Sequence, residues 1–205
     1  MTRLLIIRHG NTFSADEEPR RVGVKTDIPL VQSGIDQARA LGAYLKREGM
    51  LPDTIYASAL QRAQETAQIM MRDSGRDQDV ITDENFNEID HGVDENKTED
   101  EIIARLGKGI LEEWNAFGVV PDGWNVDPRS IQQSWLDFAN DCLDSRGGKT
   151  TCVVSSGGII RFAPIVLNDA GLPDDQSPKV RTASMSLMEH DGRAWRCLFW
   201  NKRPE

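Results

Sequence analysis

The segment Leu4-Leu5-Ile6-Ile7-Arg8-His9-Gly10-Asn11-Thr12 runs four apolar residues directly into a basic, glycine-containing turn. A continuous apolar run of this length is the pattern of a strand buried on both faces, as in a parallel sheet. Working outward, Ser33 is expected to cap a helix that carries Ile35, Ala38, Leu41 and Leu45 on one face, with Asp36 three residues after the cap and Gly49 at the end. Thr54-Ile55-Tyr56-Ala57 reads as a second strand, followed by a helix over about 60–72 that buries Leu60, Ala63, Ala67 and Met70. Thr151-Cys152-Val153-Val154 repeats the buried-strand pattern before Ser155-Ser156-Gly157-Gly158, and a helix over 159–167 is expected to follow. Strand alternating with helix is the grammar of an α/β fold. The expected architecture is a three-layer α/β/α sandwich with a mostly parallel sheet.

Between these parts lies an insertion expected to form a small helical cap over about 90–148. Ile103, Leu106, Ile110, Trp114 and Phe117 recur at helical spacing and predict one helix. Asp127-Pro128 predicts an N-cap followed by proline at the first helical position, opening a helix that buries Ile131, Trp135, Phe138 and Cys142. The C-terminal part reads as a hairpin, 184–189 and 195–200, around Asp191-Gly192. No repeat or linker divides the 205 residues, so a single domain over 1–205 is expected.

Composition narrows the function. The 24 Lys and Arg against 33 Asp and Glu leave a formal net charge of −9, which repels nucleic acid and anionic membrane. No window approaches the roughly 18 apolar residues of a membrane span, and the apolar run after Met1-Thr2-Arg3 is too short for a signal peptide. Cys142, Cys152 and Cys197 are odd in number and lack CxxC spacing, so they read as reduced core residues of a cytoplasmic protein. Three histidines are too few and too scattered for a zinc site. An acidic protein that handles an anion needs a local basic pocket. In open α/β sheets that pocket lies beyond the carboxyl ends of the strands. Those ends carry Arg8-His9-Gly10, Ser58 with Arg62 a turn later, and Ser155 to Gly158. Two guanidinium forks beside an imidazole fit a phosphoryl group, and the Gly157-Gly158 turn can add backbone N–H groups.

These residues also carry a family resemblance. Arg8-His9-Gly10-Asn11-Thr12 resembles the R-H-G-(E/N)-T signature of the histidine phosphatase superfamily, which includes the cofactor-dependent phosphoglycerate mutases. Asp27-Ile28-Pro29-Leu30 with Gly34 and Gln37-Ala38, then Tyr56 to Ala63 with Glu65-Thr66-Ala67, Asn87-Glu88-Ile89, and Val153 to Gly158 resemble further segments in family order. The likeness weakens from Asp94 to Gly148. It implies a metal-independent phosphomonoesterase, without cofactor, acting on a small phosphorylated metabolite. His9 would be the nucleophile, Glu88 the acid and base, and Arg8, Asn11, Arg62, Ser156 and Gly157 the phosphate contacts. Asp90 and Asp94 would be acidic neighbours of Glu88. The family places a second histidine where this chain has Ser156, a donor without charge, which makes a phosphate-ester-binding or regulatory protein with weak turnover the alternative. A phosphoglycerate mutase-type phosphotransferase is the weaker one. The family's asparagine beyond the signature is replaced in Phe13-Ser14-Ala15, where Ser14 is the candidate substitute. His91 and Lys97 are candidate stand-ins for the second histidine, although the loop position of His91 suggests a surface residue. Trp124 is a candidate pocket wall, and His190 reads as solvent-facing. The oligomeric state is left open.

Overall fold

The computed structural model describes residues 1–76, 78–173 and 176–204. Six strands form one sheet: β1 (Thr2–Arg8), β2 (Thr54–Ala57), β3 (Val80–Thr82), β4 (Thr150–Ser155), β5 (Met185–His190) and β6 (Trp195–Lys202). Their order is β3-β2-β4-β1-β5-β6. The first four run parallel, while β5 is antiparallel to both β1 and β6. The helices are α1 (Gln32–Arg47), α2 (Gln61–Asp73), α3 (Glu99–Leu106), α4 (Lys108–Phe117), α5 (Pro128–Ser145) and the single turn α6 (Gly157–Ile160).

Alternation along β1 distributes the core. Leu5 and Ile7 face α1 and α2 with Ile55, Cys152, Val154 and Leu187, whereas Leu4 and Ile6 join Trp135, Phe138, Cys142, Val153 and Met188 on the other face. A mostly parallel sheet buried on both faces is the expected three-layer sandwich. Helix α5, whose N-cap Asp127 accepts from the amides of Arg129 and Ser130, packs on β1 in that second layer. The helices standing over the strand ends are therefore α3 and α4.

Several local expectations are corrected. Helix α1 starts at Gln32 after Val31, with no side-chain cap: Ser33 is already the second helical residue, its hydroxyl accepting from the Asn11 side chain, and Asp36 bonds Gln32 and Arg39. The helix expected from Ile103 to Phe117 is broken at Gly107, which takes φ 81° and separates α3 from α4. Phe117 is 82% exposed at the far end. The helix expected over 159–167 stops at Ile160 and resumes as a 3₁₀ segment, Ala163–Ala170, because Pro164 has no N–H to continue the ladder. Strand β3 has no counterpart in the sequence pattern: three residues at a sheet edge carry no readable period. His190 is half-buried against Trp195, not free in solvent. The three cysteines are free thiols, Cys142 and Cys152 in the core and Cys197 partly buried.

Two glycines bring the start of α1 against the turn after β1. A Cβ on Gly10 would lie 2.5 Å from the Gly34 carbonyl oxygen, and one on Gly34 would lie 2.2 Å from that of Asn11. Both obstacles are backbone and cannot swing aside. Gly34→Ala should therefore cost about 2 kcal/mol or more in urea unfolding. Gly109→Ala, at an open position in α4, should be neutral or stabilising by up to about 1 kcal/mol.

Candidate active site

The carboxyl ends of three parallel strands are brought level by their register: Arg8 pairs with Ser155, and Ala57 with Val154. Just beyond, the His9 amide donates to the Ser155 carbonyl (3.0 Å) and the Ser58 amide to that of Val154 (3.1 Å). The turn before β5 closes on the same point. The Ala183 amide reaches the carbonyls of both Arg8 and His9, with Ala183 held at φ 52°. Left-handed backbone at a residue with a Cβ stores strain of about 1 kcal/mol or more, and such strain clusters at functional sites.

His9 is 5% exposed. Its Nδ1 lies 2.7 Å from the Gly10 carbonyl oxygen, which can only accept, so Nδ1 carries the proton and Nε2 keeps its lone pair. Burial, then the fields of Arg8 and Arg62, pushes the imidazole pKa well below its ordinary 6.5, despite the opposing bond to Gly10. His9 is a neutral, oriented nitrogen base at neutral pH.

Both arginines are tied to backbone carbonyls. Arg8 Nη1 donates to Val180 O (2.7 Å); Arg62 donates to Thr26 O (3.0 Å) and Gly23 O (3.2 Å). Burial lowers both pKa values, opposed by the nearby Glu88. Arg8 Nε, Arg62 Nε and the Ser156 hydroxyl are buried with no hydrogen-bond partner. Arg62 and Ser156 are fully buried and do not line the open cleft. The cleft itself has a volume of about 690 Å³ and is walled by Arg8, His9, Asn11, Glu88, Gly157 and Arg161, among others.

Glu88 accepts from the Ile89 amide (2.9 Å) and the Gly158 amide (3.1 Å), so the Gly158 N–H expected for a phosphate serves the carboxylate instead. Asp90 and Asp94 are not free acidic neighbours. Asp90 pairs with Lys25 at 2.8 Å; burial would raise its pKa, but hydrogen bonds from Lys25, Asn125 and Gly92 bring it down to about 2. Asp94 is held by Arg105 and by Trp124 Nε1 (2.7 Å). Asn11 lines the cleft with its side chain engaged by Ser33 and Thr182. Ser14 also reaches the cleft.

His91 is buried rather than a surface loop residue. It stands edge-on to Trp124 at 4.5 Å, with Nδ1 3.5 Å from Glu95 Oε2, and it lines the cleft. Lys97 is half exposed beside Glu101 and stays outside. Trp124 lies behind His91 and Trp114, and Trp114 is the tryptophan that borders the cleft. Sequence reasoning passed over Arg21 and Arg161. For Arg161 a signal existed: it follows Gly157 by one helical turn, as Arg62 follows Ser58. Among the described residues, no group of three or more His, Cys, Asp and Glu side chains is arranged to hold a metal ion, and no helix is long and apolar enough to cross a membrane.

Comparison with known proteins places this geometry in a family. The model of the histidine phosphatase superfamily (branch 1) matches residues 4–203. The 2,3-bisphosphoglycerate-dependent phosphoglycerate mutase of Methylobacterium radiotolerans is 32% identical over 192 residues, 88% of this chain and 85% of its own. The mutase of the same description from Azorhizobium caulinodans is 29% identical, covering 82% of each chain. Among solved structures, a mycobacterial glucosyl-3-phosphoglycerate phosphatase shares the fold, with TM-score 0.80 and 24% identity over 98% of this chain and 99% of its own. YhfR of Bacillus stearothermophilus gives TM-score 0.80 at 29% identity, covering 98% of each chain. With a family model that spans nearly the whole sequence and a fold shared end to end, the chain belongs to branch 1 of the histidine phosphatase superfamily.

Proposed function

We propose that this protein is a metal-independent phosphomonoester phosphatase that works through a phosphohistidine at His9. The observation that carries this reading is that Arg8 Nε, Arg62 Nε and the hydroxyls of Ser58 and Ser156, at the strand ends that also carry a neutral His9, are buried without hydrogen-bond partners. Buried polar groups in native proteins are almost always satisfied, and a phosphoryl group supplies three oxygens to do it. In this mechanism His9 Nε2 attacks phosphorus and the ester oxygen leaves with its electron pair. Arg8 and Arg62 hold the equatorial oxygens as charge spreads over them. Glu88 protonates the departing alkoxide and then takes a proton from the water that attacks the phosphohistidine. Asn11 and Gly157 border the phosphoryl group. The substrate is a small phosphorylated metabolite, the setting is cytoplasmic, and 1–205 acts as one unit whose insertion selects the leaving group.

A second reading, a phosphate-ester-binding or regulatory protein with weak turnover, is favoured by Ser156. A hydroxyl there donates a hydrogen bond but adds no charge, and one missing transition-state donor costs about 10²–10³ in rate. The name of the curated relatives supports a third, a mutase-type transfer without net phosphate release.

Phosphate release from a panel of phosphorylated metabolites, with and without His9→Ala, separates these readings. The phosphatase reading expects release by the wild type and loss to the assay floor in the variant. It also expects base-stable radiolabel on the wild type alone after an alkaline quench. More than a few per cent of wild-type kcat in His9→Ala would end the phosphohistidine mechanism. Ser156→His should raise kcat on simple esters by up to about two orders of magnitude, less where repacking strains the buried site, and Ser156→Ala should lower it. Unchanged kinetics in both would remove Ser156 from the site.

The lowered His9 pKa also has a consequence for stability. Below about pH 6.5 the unfolded chain binds a proton at this residue that the folded chain refuses, so its contribution to stability is lost as the pH falls. Urea unfolding between pH 7.5 and 5 should show wild-type stability falling more steeply than that of His9→Gln. Parallel curves would mean that His9 is not held neutral.

A further inference from the structure

The turn that carries His9 is held through three successive amides, each with its own acceptor. The His9 amide bonds to the Ser155 carbonyl (3.0 Å), which continues the sheet. The next two bonds go to side chains: the Gly10 amide donates to Thr66 Oγ1 (3.1 Å), and the Asn11 amide to Gln37 Oε1 (2.9 Å). Thr66 belongs to α2 and Gln37 to α1, so each helix of this layer sends one side chain to the turn.

Thr66 does more than Gln37. It is fully buried, and its hydroxyl also donates to the Arg62 carbonyl (2.6 Å). A threonine that bonds back to the residue four before it is common in helices, and that bond alone serves no loop. The bond from Gly10 is different, because 56 positions separate it from Thr66. A hydroxyl has one proton to give and lone pairs to receive with, and a carbonyl can only accept. The proton therefore goes to Arg62 and a lone pair to Gly10. One buried oxygen joins the turn of His9 to the first turn of α2, where Arg62 stands.

The His9 ring in turn depends on Gly10. The Gly10 carbonyl is the acceptor, at 2.7 Å, that keeps the proton on Nδ1. Glycine has no Cβ to restrict φ and ψ, so its carbonyl stays in place only where its surroundings hold it. Gly34 confines Gly10 on one side, where a Cβ would lie 2.5 Å from a backbone oxygen, and Thr66 takes the amide.

We propose that Thr66 is a positioning residue for the nucleophile: by holding the Gly10 amide it sets the Gly10 carbonyl, and through it the tautomer that leaves Nε2 of His9 free to attack. The consequence for turnover rests on the reading of His9 as the nucleophile. Which nitrogen of an imidazole carries the proton is decided by the hydrogen bond that the ring makes. A ring in the other tautomer has no lone pair at Nε2, and a fully wrong tautomer costs up to about 10⁴ in rate. Arg8 and Arg62 keep their own carbonyl partners, so phosphate affinity should change little when Thr66 is altered.

The test compares Thr66→Val, which keeps the shape and removes both bonds, with Thr66→Ser, which keeps the hydroxyl, in the full chain. Nitrogen NMR of histidine-labelled protein reads the tautomer without any substrate, and with three histidines in the chain His9→Gln assigns the His9 signals. At about pH 7.5 the wild type and Thr66→Ser should show a protonated Nδ1 and a bare Nε2, whereas Thr66→Val should shift both signals toward a mixture of tautomers. On a simple phosphate ester kcat should fall about tenfold or more in Thr66→Val and less than about threefold in Thr66→Ser. Inorganic phosphate should bind both variants within about threefold of the wild type. Thr66→Ala takes the place of Thr66→Val if the latter does not fold. A wild-type tautomer in the variant without the hydroxyl, a loss of phosphate affinity as large as the loss of kcat, or failure of both variants to fold would overturn the proposal. Absence of phosphate release by the wild type would overturn the phosphatase reading instead, and the NMR comparison would still decide the role of Thr66.

Discussion

Arg62 is wholly buried, yet it is held by two peptide carbonyls rather than by a carboxylate. The rest of the site depends on that choice of partner. A carboxylate would hold the guanidinium as well but would cancel its charge. Carbonyls orient it and leave the charge uncancelled, so it lowers the His9 pKa and stays available to an anion. Arg8 follows the same rule through Val180. An acidic protein keeps a positive pocket this way, by spending its carboxylates elsewhere: Asp90 on Lys25, Asp94 on Arg105, Glu189 on Arg3.

The carbonyls that hold Arg62 need support of their own. Gly23 donates its amide to Glu95 Oε1 (2.8 Å), and a Cβ at Gly23 would lie 2.3 Å from Glu95 Oε2 and 2.6 Å from His91 Nδ1. The 91–95 turn is thus fitted against the loop that aims Arg62. Asp94, fixed by Arg105 of α3 and by Trp124, ties the same turn to the insertion. The 99–124 segment thus braces the loop that aims Arg62, while Glu99, Asp100, Trp114 and Asn115 line the cleft. This explains why His91, whose loop position suggests the surface, is buried together with Asp94.

Legibility followed periodicity. Strands β1, β2 and β4 and helices α2 and α5 were readable because burial on a sheet imposes apolar spacing, and His9, Arg8 and Arg62 were readable because they stand where those patterns stop. The partners of Glu88, Asp90 and Asp94 were not readable. They are contacts over distances such as Asp94 to Trp124 or Glu88 to Gly158, which leave no periodic trace. The breaks at Gly107 and Pro164 were visible as residues, but the apolar spacing running through them outweighed the breaker. Strand β3 is too short to have a period. Arg161 is less legible because the glycines one turn before it already account for a phosphate contact through their backbone N–H groups.

The hydrogen bond from Arg8 to Val180 spans 172 positions, and the amide that steadies the carbonyls of Arg8 and His9 belongs to Ala183. His9 is therefore synthesised long before the turn that fixes it. Contacts of such separation form late and slowly, after the loop entropy between them has been overcome. During synthesis the chain therefore carries His9 and Arg8 in an unassembled state until the β5–β6 hairpin closes. Without the docked 180–202 segment the four parallel strands can pair and the Arg8–His9 turn still lacks what fixes it, so closure of the β5–β6 hairpin is the step that completes the cleft.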